Sequence, residues 1–384
     1  MQRIILNNAR YWQTRLEVAQ TVALTEADLR TAAMALEALF TIMPAGLAAA
    51  FELTKTLHPH MKTRGYWEEW ETFLDELIRL AQQYARPREE MSLRTRQGEI
   101  QYQRGRYAEA YQSYRRIWRL YAVTGDRRNY AVALSNLGEM SRLRGQLWRA
   151  RVLTESALAE FAAIGNALRQ AYTENHLAMV YLNLQEWDAS EAHFLQGLAL
   201  LAPEEQQARA YLHQNLGLLY MTTQQFEKAQ ETFRQALALY QALGDEASAA
   251  QIYSNLGNLY QGVGLFAEAE EVCRQAERIL KRINDGLNLA RARHNLGMAC
   301  AGQRRWDEAE RCFQQALAHW RAREDRWNIA NTLVELGNLY LAQGQRARAH
   351  LCLEEGEALI RDQGAPWYVQ LRAEFAELRQ RWGG

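Results

Sequence analysis

Lysine is nearly missing from this 384-residue chain: four stand against 41 arginines, a skew read as genome composition and not as function. Proline is also scarce. Five prolines, eight serines and 23 glycines exclude the collagen-like, mucin-like and low-complexity classes. No apolar run approaches the roughly 18 residues a membrane helix needs, and the opening MQRIILNNAR lacks the apolar core of a signal peptide. The expected location is the cytoplasm, away from any membrane. Neither sign of charge prevails, since 45 Lys+Arg balance 45 Asp+Glu, and this disfavours a wholesale nucleic-acid or membrane binder.

Chemistry-bearing motifs are missing as well. The four cysteines (Cys273, Cys300, Cys312 and Cys352) form no CxxC and have no histidine at zinc-finger spacing, so neither a zinc site nor a disulfide framework is expected. There is no GxSxG, no HExxH, no dinucleotide-binding glycine pattern and no P-loop. His58-Pro59-His60 is the one close histidine pair, and it is expected to be a solvent-exposed helix kink. These absences predict a non-enzyme with no cofactor and no metal.

What the chain does have is an internal repeat. Gly98, Gly138, Ala178, Gly217, Gly257, Gly297 and Gly337 form a lattice whose successive steps are 40, 40, 39, 40, 40 and 40. Three residues on come Tyr181, Tyr220, Tyr260 and Tyr340; twelve on come Ala110, Ala150, Ala229, Ala269, Ala309 and Ala349. Sixteen on are Tyr114, Phe194, Phe233 and Phe313, followed by Ala157, Ala236, Ala276 and Ala316. Offsets of three and four place these residues on one stripe of each of two helices. Small residues where the stripes meet allow close approach, and the aromatic of the partner fills the space beside them. Thr124-Gly125-Asp126, Ile164-Gly165-Asn166 and Leu243-Gly244-Asp245 supply a left-handed stop and a capping residue for the next helix. No window alternates with period two. The fold class is all-α, built of helix pairs with helices of about 17–20 residues, some 25–30 Å long.

The Leu-Gly, Tyr and Ala-aromatic-Ala pattern resembles the tetratricopeptide repeat, in the longer form found in kinesin light chains and some bacterial regulators. The resemblance implies a right-handed α-α superhelical solenoid of about eight helix pairs that recognises proteins or peptides. Residues 1–45 are expected to be a helical lead-in, with helices near 3–22 and 25–42, the second capped by Thr25 with Asp28. A degenerate repeat is expected over 46–85, seven regular repeats over 86–365, and a C-terminal capping helix over 366–384. Asn8-Ala9-Arg10-Tyr11-Trp12 and Glu26-Ala27-Asp28-Leu29 are similar to the lead-in before the repeat sensor of bacterial STAND signal-transduction ATPases. That likeness implies a ligand-sensing region of such an ATPase or a related regulator; a free-standing peptide receptor or adaptor is the alternative.

In tetratricopeptide arrays the residue two before the glycine faces the concave groove, and here that rank reads Arg96, Asn136, His176, Asn215, Asn255, Asn295 and Glu335. Four residues earlier stand Tyr172, Tyr211, Gln251, Arg291 and Asn331. A side-chain amide offers donor and acceptor together, suited to an extended peptide backbone, or it can bridge adjacent helices. Both readings stand. Charge is uneven along the chain: residues 86–151 carry net +9 and residues 152–280 net −10. An acidic partner at 86–128 is one expectation and arginines solvated on the outer face the other. Tyr107, Tyr114 and Trp118 are read as core residues, so a nucleic-acid adaptor is the weakest of the function readings.

Overall fold

The computed structural model describes residues 1–18, 24–63, 66–361 and 367–383, and among them every regular element is an α-helix. The chain divides into two compact units, Met1–His193 and Phe194–Gly384. The first unit opens with α1 (Gln2–Val18), α2 (Glu26–Phe40), α3 (Leu47–Thr63) and α4 (Trp67–Gln83). It continues with α5 (Pro87–Gln103), α6 (Tyr107–Thr124), α7 (Arg127–Leu143), α8 (Leu147–Ala163) and α9 (Ala167–Leu184). Helix α10 (Trp187–Ala199) spans the division. The second unit holds α11 (Gln206–Thr222), α12 (Phe226–Ala242), α13 (Glu246–Gly262), α14 (Phe266–Arg282) and α15 (Gly286–Gly302). It ends with α16 (Trp306–Ala322), α17 (Arg326–Ala342), α18 (Arg346–Ile360) and α19 (Trp367–Gly383).

Helix punctuation keeps strict time. Left-handed backbone falls at positions 85, 105, 125, 145, 165 and 185 in the first unit, and at 224, 244, 264, 284, 304, 324 and 344 in the second, an even beat of half a repeat within each. Seven of these thirteen are glycine, which adopts that conformation without steric cost. At Arg304 (φ 58°) and Glu324 (φ 54°) the backbone tolerates a strain of roughly 1–2 kcal/mol because the turn is fixed from both sides. After the turn, Asp126, Asn166, Asp245, Asp285 and Asp325 each accept a hydrogen bond from the backbone N–H three residues on. The Thr25–Asp28 capping box is complete at the start of α2. The expected end of the first helix, at 19–22, lies outside the described residues.

Consecutive helices pack in pairs, α5 with α6, α7 with α8, α11 with α12, α13 with α14, α15 with α16 and α17 with α18. The first helices of successive pairs also touch: α5, α7 and α9 in the first unit; α11, α13, α15 and α17 in the second. Ala110, Ala150, Ala229, Ala269, Ala309 and Ala349 are sealed where the pairs meet. Ser190 takes the equivalent place after Ala178 and remains buried because its hydroxyl donates to the Ala178 carbonyl at 2.9 Å. The close approach has a direct measure: a Cβ at Gly217 would stand 2.6 Å from the Phe233 ring, and one at Gly297 2.8 Å from Phe313. In the last pair Leu378 of α19 closes over Gly337.

Gly262 lies on the same type of helix with nothing within 4 Å of an added Cβ. Gly217→Ala is expected to lower stability by about 1–3 kcal/mol through overpacking. Gly262→Ala should raise it by roughly 0.5–1 kcal/mol through helix propensity. Chemical denaturation of the two variants measures both, and equal effects would show that the glycine register is not set by close packing.

Candidate functional site

In the first unit the inner faces of α3, α5, α7 and α9 enclose a half-open cavity of about 760 Å³. Phe51, Leu93 and Val132 supply apolar wall; Lys55, Arg88, Arg96, Arg128 and Arg169 supply cations. His58 opens onto the same space. It is buried, in contrast to the exposed kink expected of His58-Pro59-His60, because Trp70 packs over it from α4. The Trp70 indole N–H can only donate, and it donates to His58 Nδ1 at 2.8 Å. The ring proton therefore sits on Nε2, which faces the Glu99 carboxylate at 3.3 Å.

Arg96, the first member of the expected rank, is half-buried in this wall. Its Nη1 donates to the Ser92 carbonyl at 2.8 Å and to the Ser92 hydroxyl at 2.7 Å, while its Nε has no hydrogen-bond partner. Burial lowers its pKa and so opposes its charge, Glu99 and Glu52 support it, and Arg128 opposes it. Asn136 is half-buried without a side-chain hydrogen bond among the described residues. His176 bonds through Nδ1 to the Ser135 hydroxyl at 3.0 Å, tying α9 to α7, and burial disfavours its protonation. Tyr172 is half-buried on α9.

The amide rank of the second unit is split by its environment. Asn215 and Asn295 are buried, at 7% and 8% exposure, whereas Asn255 is half-buried. Asn295 Nδ2 reaches the Ser254 carbonyl of α13 at 3.5 Å, and the Asn295 carbonyl accepts from Gln261 Nε2 at 2.7 Å. This residue bridges neighbouring first helices. Asn255 makes no side-chain hydrogen bond among the described residues, and Gln251 and Arg291 beside it are exposed. Tyr211 is exposed on α11, and Asn331 Nδ2 lies 3.4 Å from His294 Nε2. Burial lifts the Glu335 carboxyl to about 7, with Glu374 adding to the effect.

Other sequence features resolve into packing and pairing. All four cysteines are buried, and burial pushes their thiols up to about 11 or 12. Glu270, Cys300 and Glu308 converge as a potential metal-ligating group, but Arg274 and Arg305 pair with both carboxylates, so two cations already occupy the cation side of the cluster. Within the basic block Arg94 and Arg116 share Glu90, and Arg104 and Arg106 share Glu71. Arg88, Arg96, Arg115, Arg119 and Arg128 form no ion pair among the described residues. Tyr114 is core as expected; Tyr107 and Trp118 are instead 42% and 46% exposed, Tyr107 beside the Tyr102 ring of α5 and Trp118 beside Tyr130 of α7. Lys55 and Arg169 lie outside the expected site. Arg169 shares its place in the repeat with Glu89 and Asn129, which also line the cavity, so it is found one repeat on from Asn129.

A family model described as tetratricopeptide repeat matches residues 169–242, 206–282, 248–322 and 288–362, together half of the chain. The chain belongs to the tetratricopeptide repeat family. No curated protein matches it significantly in sequence. Among solved structures its fold is similar to that of a Rap protein complexed with competence and sporulation factor, with a TM-score of 0.65, 15% identity and 99% of each chain covered. It is also similar to aspartyl phosphate phosphatase F from Bacillus subtilis, with a TM-score of 0.58, 14% identity and 94% of each chain covered. A STAND protein with a tetratricopeptide repeat sensor from Pyrococcus horikoshii matches 93% of this chain at a TM-score of 0.60 and 12% identity; the match spans 56% of that protein. At these identities the likeness is one of fold.

His294 gives this tetratricopeptide array an acid-sensitive joint. The Thr332 hydroxyl donates to the Asn328 carbonyl, so it accepts from His294 Nδ1 at 3.1 Å, which leaves Nε2 to accept from Asn331. Burial in this bonded neutral form depresses the His294 pKa from 6.5 to about 4. Between those values the unfolded chain binds a proton that the folded chain does not, so stability present above pH 6.5 is lost as pH falls. At pH 5 the loss attributable to His294 is about 2 kcal/mol. Denaturation midpoints at pH 7 and 5 should fall less for His294→Gln than for the parent, and equal falls would remove His294 from this role.

Proposed function

We propose that this tetratricopeptide array is a non-catalytic recognition module that takes a protein or extended peptide along the first helices of its repeats. The observation that carries the proposal is Asn255: a half-buried amide without an intramolecular hydrogen-bond partner among the described residues, flanked by exposed Gln251 and Arg291 on successive first helices. An amide that served only to join helices would be bonded as Asn295 is. Family membership supports the same reading, because a helical repeat stacks continuous side-chain ranks that an extended ligand can follow.

The finer role is ligand sensing within a bacterial signalling ATPase or a related regulator, supported by the fold likeness to the STAND protein with its repeat sensor. A free-standing receptor is the second reading, supported by the Rap protein complexed with competence and sporulation factor. Arginines of 86–128 outside ion pairs favour acidic groups on whichever partner binds. The expected domain division, with a lead-in over 1–45 and a capping helix over 366–384, is retained in this proposal as the frame that isolates the recognition repeats.

Peptides selected by display against the full chain test the reading. Replacing both Gln251 and Asn255 by Ala should weaken a selected peptide by on the order of tenfold, about 1.4 kcal/mol, with the far-UV circular dichroism unchanged. Unaltered affinity in that double variant would place recognition elsewhere.

A further inference from the structure

The cavity of the first unit has a charge arrangement that peptide recognition by amides does not explain. Four carboxylates line it, and each has a partner of its own. Glu52 pairs with Lys55, Glu89 with Arg86 at 3.7 Å and Glu99 with His58, and Asp126 caps α7 through the Asn129 N–H. The arginines differ. Arg88 reaches only the Thr124 carbonyl, at 3.3 Å, and Arg96 only Ser92; Arg128 and Arg169 make no side-chain hydrogen bond among the described residues. Arg128 and Arg169 also stand in the first turns of α7 and α9, where helix dipoles add positive potential. The wall therefore has committed negative groups and uncommitted guanidinium groups.

We propose that this cavity is a binding site for a multiply charged oxyanion, held by Arg96, Arg128 and Arg169 from three successive first helices. Guanidinium groups favour carboxylate and phosphate oxygens because their planar N–H donors match two oxygens at once. Arg96 supplies part of the wall: its Nη1 is anchored on Ser92, its Nε is buried without an acceptor, and its charge is held against partial burial. An anion in the cavity would offset the repulsion between Arg96 and Arg128. A volume of about 760 Å³ exceeds a single inorganic anion, so the oxyanion would be one end of a larger ligand. A phosphate-bearing small molecule and the carboxylates of an acidic peptide offer the same chemistry. The site uses no residue of the second unit and does not rest on its amide rank.

Isothermal titration of the full chain with pyrophosphate and with citrate tests the proposal. At least one should bind with one-to-one stoichiometry. Arg128→Gln and Arg169→Gln should each weaken it by on the order of tenfold, while Arg115→Gln, an exposed arginine outside the cavity, leaves it unchanged. Neither cavity arginine forms an ion pair within the described residues, so both variants should retain the parent melting temperature. Preference for pyrophosphate identifies a phosphate-bearing ligand, and preference for citrate a carboxylate-bearing one. Failure of both to bind overturns the site, as does equal weakening by Arg115→Gln. A Gln251→Ala, Asn255→Ala double variant should bind the anion as the parent does, so loss of the peptide reading and loss of the anion site remain separable.

Discussion

A missing Cβ is the constraint on which this molecule depends. Where Gly217 faces Phe233 and Gly297 faces Phe313, a single methyl group would stand under 3 Å from an aromatic ring, so these two pairs close as they do only around glycine. That contact sets the distance between the helices, and distance sets which residues of the pair are sealed. The alanines on the facing helix are then buried by geometry, and the evenly spaced left-handed turns follow because each helix must stop where its partner begins. The strain at Arg304 and Glu324 belongs to the same cause: packing on both sides fixes the turn more firmly than the residue type resists it.

With the pairs fixed, the first helices of neighbouring pairs meet along polar ranks. His176 to Ser135, Asn295 to the Ser254 carbonyl and His294 to Thr332 are rungs of one kind, each joining groups about one repeat apart. The histidine rungs are sensitive to protonation, because a buried imidazole that both donates and accepts has no room for a second proton. Rungs also separate structure from recognition. An amide occupied in a rung holds the array together, and one without a rung remains available to a ligand.

The scaffold is legible in the sequence because its signals are local and repeated: glycine, alanine and aromatic at fixed offsets each encode a contact inside a single helix pair. The caps at Asp126, Asn166 and Asp245 are legible for the same reason. The division of the amide rank is not, since Asn255 and Asn295 occupy identical places in the repeat and differ only in what the neighbouring helix offers. His58 reads as exposed from its local sequence because its partner Trp70 comes from the next helix. Trp118 and Tyr107 read as core because helical spacing identifies a stripe but not which side of the second helix that stripe covers.

Net charge illustrates the limit of counting. The surplus of +9 over 86–151 suggests a broad basic surface, yet many of its arginines are absorbed by Glu71, Glu90, Glu109, Glu139 and Glu160. What remains is a small set defined by position. The places of Arg88 and Arg128 in the repeat are filled in the second unit by Gln207, Ala247 and Leu287, and that of Arg169 by Ala208, Ser248 and Asn288. Asn255 and Asn295 stand where Arg96 stands in the first. The same helix pairing therefore forms with neutral residues at every one of these places, so the cations are no requirement of the scaffold. An arginine needed only for solubility would extend into water, whereas Arg96 is half-buried in the cavity wall beside the like charge of Arg128, an arrangement that an anion in the cavity would stabilise.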